Sequence, residues 1–152
     1  MSVFAKAPSA NAKPDSIVQY KNTIFIGYQM AGDVKDGSVP GLTNTVVQYD
    51  LGGNVLKTYS VPGHVDGLMA RTDTNRLWAM SNEDANPELT IIDLATGTQK
   101  IYQATVNPTA DGGGFDDMQL MNGVVYVSAS NPSTPGAAPT VVSLTLNPFR
   151  LR

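Results

Sequence analysis

The chain has 152 residues, 41% of them hydrophobic and only 15% charged, with a net charge of −3. That length can fill one ordinary core, and the few scattered Lys and Arg form no patch for a nucleic-acid backbone. No apolar run reaches the 18 or so residues of a membrane span, and the lack of cysteine excludes disulfides and thiolate metal sites.

In chain order, residues 1–14 hold no apolar stretch of the signal-peptide kind. The many Thr, Asn, Ser, Gly and Pro suit an all-β protein with many turns and lean towards a secreted or periplasmic one. Residues 2–8 read as a lone strand. Residues 16–20 alternate, Lys21-Asn22 makes a tight turn, and residues 23–28 are aromatic and β-branched. After a long connection over 29–43, residues 44–51 form a third strand, Gly52-Gly53-Asn54 a turn, and residues 55–61 a fourth. The same sequence of signals follows at 67–71, 76–81, 88–94 and 99–105, and then at 118–121, 124–129 and 140–146. No segment sustains a 3.6-residue apolar period, so no helix is expected.

These strands belong to an internal repeat. Asp15 to Phe25 lies without a gap over Asp116 to Tyr126, and Asp66-Gly67-Leu68-Met69-Ala70 opens a copy between them. The three Asp are 51 and 50 positions apart, a spacing that marks a propeller or another stacked array. Four antiparallel strands per repeat is the form of a propeller blade. The chain divides into an orphan outer strand (2–8), a first blade (15–61), a second (66–105) and an incomplete third (116–146). That is twelve strands, three blades' worth, and three blades close no ring. The expectation is half of a six-bladed propeller closed by homodimerisation, each copy donating residues 2–8 to the other's third blade. The alternative is a fragment of a larger propeller.

Asp66-Gly67-Leu68, Leu77-Trp78-Ala79 and Thr90-Ile91-Ile92-Asp93-Leu94-Ala95-Thr96-Gly97 resemble the repeats of six- and seven-bladed propellers of the gluconolactonase-like, streptogramin-lyase-like, NHL and YncE-like group. The resemblance covers about residues 15 to 146. It implies that first strands line a central channel and that the long second-to-third connections, 29–43, 82–87 and 130–139, gather on the ligand face. Such a rim of loops on a rigid scaffold is where function tends to sit.

The resemblance puts Asp15, Asp66, Asp116 and Asp117 at the channel mouth, with Asn82 on the same face. Two readings stay open: a collar of hard oxygen ligands for a divalent cation such as calcium or magnesium, or a structural Asp in each link between blades. Its recurrence in every blade favours the structural one. His64, the single histidine, is a candidate general base or metal ligand, and Glu83 a second catalytic candidate. Asp66, Asp117 and Glu83 are the candidate metal ligands. The gluconolactonase-like set implies a Glu/Asn/Asp site, but the other blades offer no matching Glu, and the lyase pattern lacks its second His. Asp33-Val34-Lys35-Asp36-Gly37 lacks the full spacing of a calcium loop and reads as a solvated turn. Phe25, Trp78 and Tyr126 share one repeat position and read as inter-blade core.

The expected function is therefore a non-catalytic binding or assembly module that presents long loops on one face of an oligomeric ring. Its partner is a second copy of itself, with a small-molecule ligand as an option. A metal-dependent hydrolase or lyase in the channel is the alternative.

Overall fold

The computed structural model describes residues 3–10, 12–30, 44–61, 65–81, 88–103, 115–122, 124–129 and 140–144. Among them there is no helix, and eleven strands form three antiparallel meanders. The first sheet holds β1 (Ala12–Tyr20), β2 (Thr23–Met30), β3 (Asn44–Asp50) and β4 (Val55–Val61), in that order. The second holds β5 (Val65–Arg71), β6 (Arg76–Ser81), β7 (Glu88–Asp93) and β8 (Gln99–Gln103). The third runs β9 (Phe115–Met121), β10 (Val124–Ala129), β11 (Thr140–Leu144). Each sheet has the strand order of a propeller-like blade, and every strand expected between residues 16 and 146 is present.

The strands form where β-branched and aromatic residues alternate, and they end at turns with their own chemistry. Lys21, Asn75 and Asn122 all take left-handed φ between 50° and 54° in the turn that joins the first two strands of their sheets. Gly53 (φ 81°) and Gly97 (φ 78°) do the same in the outer turns, where glycine meets no Cβ penalty. Asp50 anchors its turn by accepting from Asn54 Nδ2 and from the amides of Asn54 and Gly52, each at 2.8 Å. Asp93 accepts from the amides of Ala95 and Thr96 at 2.9 and 3.0 Å. Those bonds hold both carboxyls below their usual pKa range, Asp50 through Asn54 first and Asp93 through Thr96 first.

The sheets stack face to face. Tyr20, Phe25, Val46, Tyr59 and Val61 of the first meet Val65, Leu68, Leu77, Ala79 and Ile92 of the second. Phe25 sits between Tyr20 and Tyr59 with ring centroids 6.4 Å from each. Met69, Trp78, Met80, Leu89 and Ile91 of the second meet Met118, Val125 and Val127 of the third. Fully burying one such side chain contributes about 1.5–3 kcal/mol. The middle strands are apolar on both faces because both are covered: Leu77 and Ala79 face the first sheet, Trp78 and Met80 the third. The first strands of successive sheets lie closest together.

The two outward faces differ. That of the first sheet buries Ile26, Tyr28, Val47 and Tyr49, with Ala5 packed against them. Residues 3–7, within the expected orphan strand 2–8, run here outside any ladder across the face of their own first sheet. The outward face of the third sheet carries Gln119, Met121, Tyr126 and Ser128. Met121 is 53% exposed, and Tyr126 belongs to none of the three apolar clusters.

Candidate functional site

The repeated Asp has a structural identity that the spacing alone did not disclose. In β1, Pro14 pairs with Tyr28 and Ser16 with Gly27, which leaves Asp15 as an extra residue. In β5, Val65 pairs with Ser81 and Gly67 with Met80, leaving Asp66. In β9, Phe115 pairs with Ala129 and Asp117 with Ser128, leaving Asp116. All three are β-bulges at the same point of the first strand. A bulge bends its strand and re-aims its side chain, so a short polar residue recurs there.

The bulges lie at the end of each sheet from which the second strand leaves, near Met30, Ser81 and Ala129. Contact between Gly27 and Val65 brings the bulged ends of the first two sheets together. The Tyr20 hydroxyl bonds Asn75 Oδ1 at their opposite ends. The two sheets therefore point the same way, and the bulges of both sit on one rim.

Their environments differ. Asp15 is exposed, while Asp66 is half-buried with one carboxylate oxygen out of solvent. Asp117 is not bulged. It alternates with Gln119 on the outward face of the third sheet, and its Oδ1 accepts from the Met118 amide at 2.7 Å. The side chain of Asp116 lies outside the described residues, as do His64, Asn82, Glu83 and the connections 31–43, 82–87 and 130–139. Among the described residues no group of three or more His, Asp or Glu is placed to hold a metal. Of the sequence candidates, then, the structure describes Asp15, Asp66 and Asp117 and gathers no ligand set from them.

Sequence reasoning did not single out a groove on the second sheet. It is lined by Arg76, Ile91, Asp93, Thr98, Lys100 and Tyr102 and encloses about 240 Å³. It lies at the end opposite the bulges, on the face turned towards the third sheet, since Trp78 and Ile91 of that face pack there. Ile91 and Tyr102 give it an apolar floor. Arg76 and Lys100 supply cationic donors, and the Arg76 charge adds to the lowering of the Asp93 pKa. Two cations, one anion and the two threonines Thr96 and Thr98 surround that apolar floor. The signal for it was in the sequence: Lys100-Ile101-Tyr102 repeats Lys57-Thr58-Tyr59.

No protein-family model matches this chain, and no curated protein does. Among solved structures it is similar to one titled "Crystal structure of the computationally designed Ika4 protein". The two are 12% identical over 95% of this chain and 98% of that one, with a TM-score of 0.42.

Proposed function

We propose that the chain is an assembly and binding module. Three propeller blades per copy join a second copy in a six-bladed ring, whose bulged rim presents the long connections to a ligand. The supporting observation is the seat of residues 3–7. In the stack, Lys57 of β4 reaches the outer turn of the second sheet, where a Cβ on Gly97 would lie 2.6 Å from Lys57 Nζ. Phe4 repeats this at the first sheet: a Cβ on Gly53, the counterpart of Gly97, would overlap the Phe4 carbonyl oxygen. On this reading residues 3–7, through their main chain, stand to the first sheet as β4 stands to the second, as the fourth strand of a preceding blade. The Phe4 and Tyr49 rings meet edge to face at 6.3 Å, and the Tyr49 hydroxyl donates to the Lys6 carbonyl at 3.1 Å.

In the ring that preceding blade is the third sheet of the other copy, whose β11 is the edge strand among the described residues. A heterologous contact of this kind closes when the rotation between copies is two-fold. Light scattering on a sizing column tests it: the chain runs at twice its own mass, and a version lacking residues 1–8 runs as a monomer. A monomer in both forms rejects the ring.

A further inference from the structure

We infer that the groove formed by Arg76, Ile91, Asp93, Lys100 and Tyr102 is the docking site for the N-terminal segment of a second copy. The inference rests on the ring reading above and names the surface that would make it specific.

The chain itself shows how one sheet's outer strand is covered by the next. Tyr59 pairs with Val46 across β4 and β3, and Tyr102 pairs with Leu89 across β8 and β7. The two tyrosines are repeat equivalents, each two residues after a lysine. In the first sheet Tyr59 is buried at 3% exposure, and Lys57 lies 4.9 Å over its ring and touches the Gly97 turn. In the second sheet the equivalent Tyr102 is only partly buried and Lys100 is exposed. They wall a groove where the first sheet has a filled contact.

Residues 3–7 have the complementary character. One side of the segment is committed to its own first sheet through Phe4, Ala5 and the Lys6 carbonyl. The side turned away is apolar and open: Val3 is 85% exposed. A third sheet placed between the second sheet of one copy and the first sheet of the other sets this segment beside β11. Val3 then points back towards Ile91 and Tyr102. Arg76 and Lys100 at the groove rim would then bond carbonyl oxygens of the segment other than that of Lys6, which Tyr49 already occupies.

The 152 residues include no cysteine, so single thiols report this contact cleanly. Val3→Cys on one tagged chain and Lys100→Cys on another, mixed and oxidised, should give the mixed disulfide in at least ten-fold excess over either same-variant dimer. Val3→Cys with Thr98→Cys serves if the first pair expresses poorly. A particle of twice the chain mass without the mixed disulfide overturns the groove assignment and leaves the ring standing. A monomer overturns both. An internal disulfide in one chain carrying Lys100→Cys and Phe149→Cys would give the groove to the chain's own end, and would also overturn the assignment.

Discussion

Gly27 and Val65 are in direct contact across the first two sheets: a Cβ on Gly27 would lie 2.5 Å from Val65 Cγ1. Val65 is fully buried and neighbours the bulged Asp66, so it has no room to retreat. Gly27→Ala should cost about 1–3 kcal/mol through overpacking, read from urea unfolding. Val65→Ala in the same chain should recover part of that loss. The double variant is expected to fall short of the summed single costs by about 0.5–3 kcal/mol. Strict additivity would mean the two positions do not press on one another.

Tyr28 and Tyr49 make a buried hydroxyl pair at 2.9 Å, and the Tyr49 hydroxyl donates a hydrogen bond to the Lys6 carbonyl. Tyr49→Phe leaves the Tyr28 hydroxyl buried without its partner, a loss of about 1–3 kcal/mol. It also unties the N-terminal segment, so trypsin should cleave after Lys6 faster than in the parent chain. Burial first, and then the bond to Tyr49, push the Tyr28 phenol well above its ordinary range. Burial raises Tyr59 too. A phenol whose folded pKa is raised contributes stability that is whole below the ordinary value of about 10 and is lost as pH climbs past it. Unfolding free energy should therefore hold level through neutral pH and decline above about pH 10. Tyr28→Phe should shallow that decline.

The bulged aspartates separate two accounts of the rim. If they are bulge devices, their costs follow burial: Asp15→Ala within about 0.5 kcal/mol of the parent, Asp66→Ala about 1–3 kcal/mol. Millimolar calcium or magnesium should then leave the melting temperature in place. A cation collar predicts the reverse: added calcium raises the melting temperature, and Asp15→Asn and Asp66→Asn each remove the increment.

Phe25 and Tyr126 occupy one repeat position with opposite surroundings. Phe25→Ala opens the buried contact between the first two sheets and should cost about 3–5 kcal/mol. Tyr126→Ser lies on the outward face of the third sheet and should cost the isolated chain about 1 kcal/mol or less. In the ring that face meets the first sheet of the other copy, so the same change should weaken dimerisation at least ten-fold, about 1.4 kcal/mol. Analytical ultracentrifugation separates the two effects.

How much of this was legible in the sequence depends on the kind of signal. The strands were, because β-branched and aromatic runs bounded by Gly or Asn turns fix them locally, as at 23–28 and 55–61. The inter-sheet role of Phe25 and Trp78 was too, because one large residue recurs at one repeat position and is buried at 0% and 4% exposure. The bulges at Asp15, Asp66 and Asp116 were not. A bulge is a mismatch between two strands, and neither strand shows it alone. The seat of residues 3–7 was half legible: their likeness to the fourth strands was visible, but the contact with Gly53 depends on how two distant segments pack. The groove at Lys100 and Tyr102 was not legible, because no unique residue marks it: its feature is a repeated pair, Lys57/Tyr59 and Lys100/Tyr102, whose second copy is less covered than its first.

Electron microscopy of end-on particles tests the ring most directly, because it counts blades. Class averages should show six blades around a central hole with two-fold symmetry, reduced to open three-bladed arcs when residues 1–8 are removed. Open arcs from the full chain, or a closed ring whose blade number is not six, would contradict it.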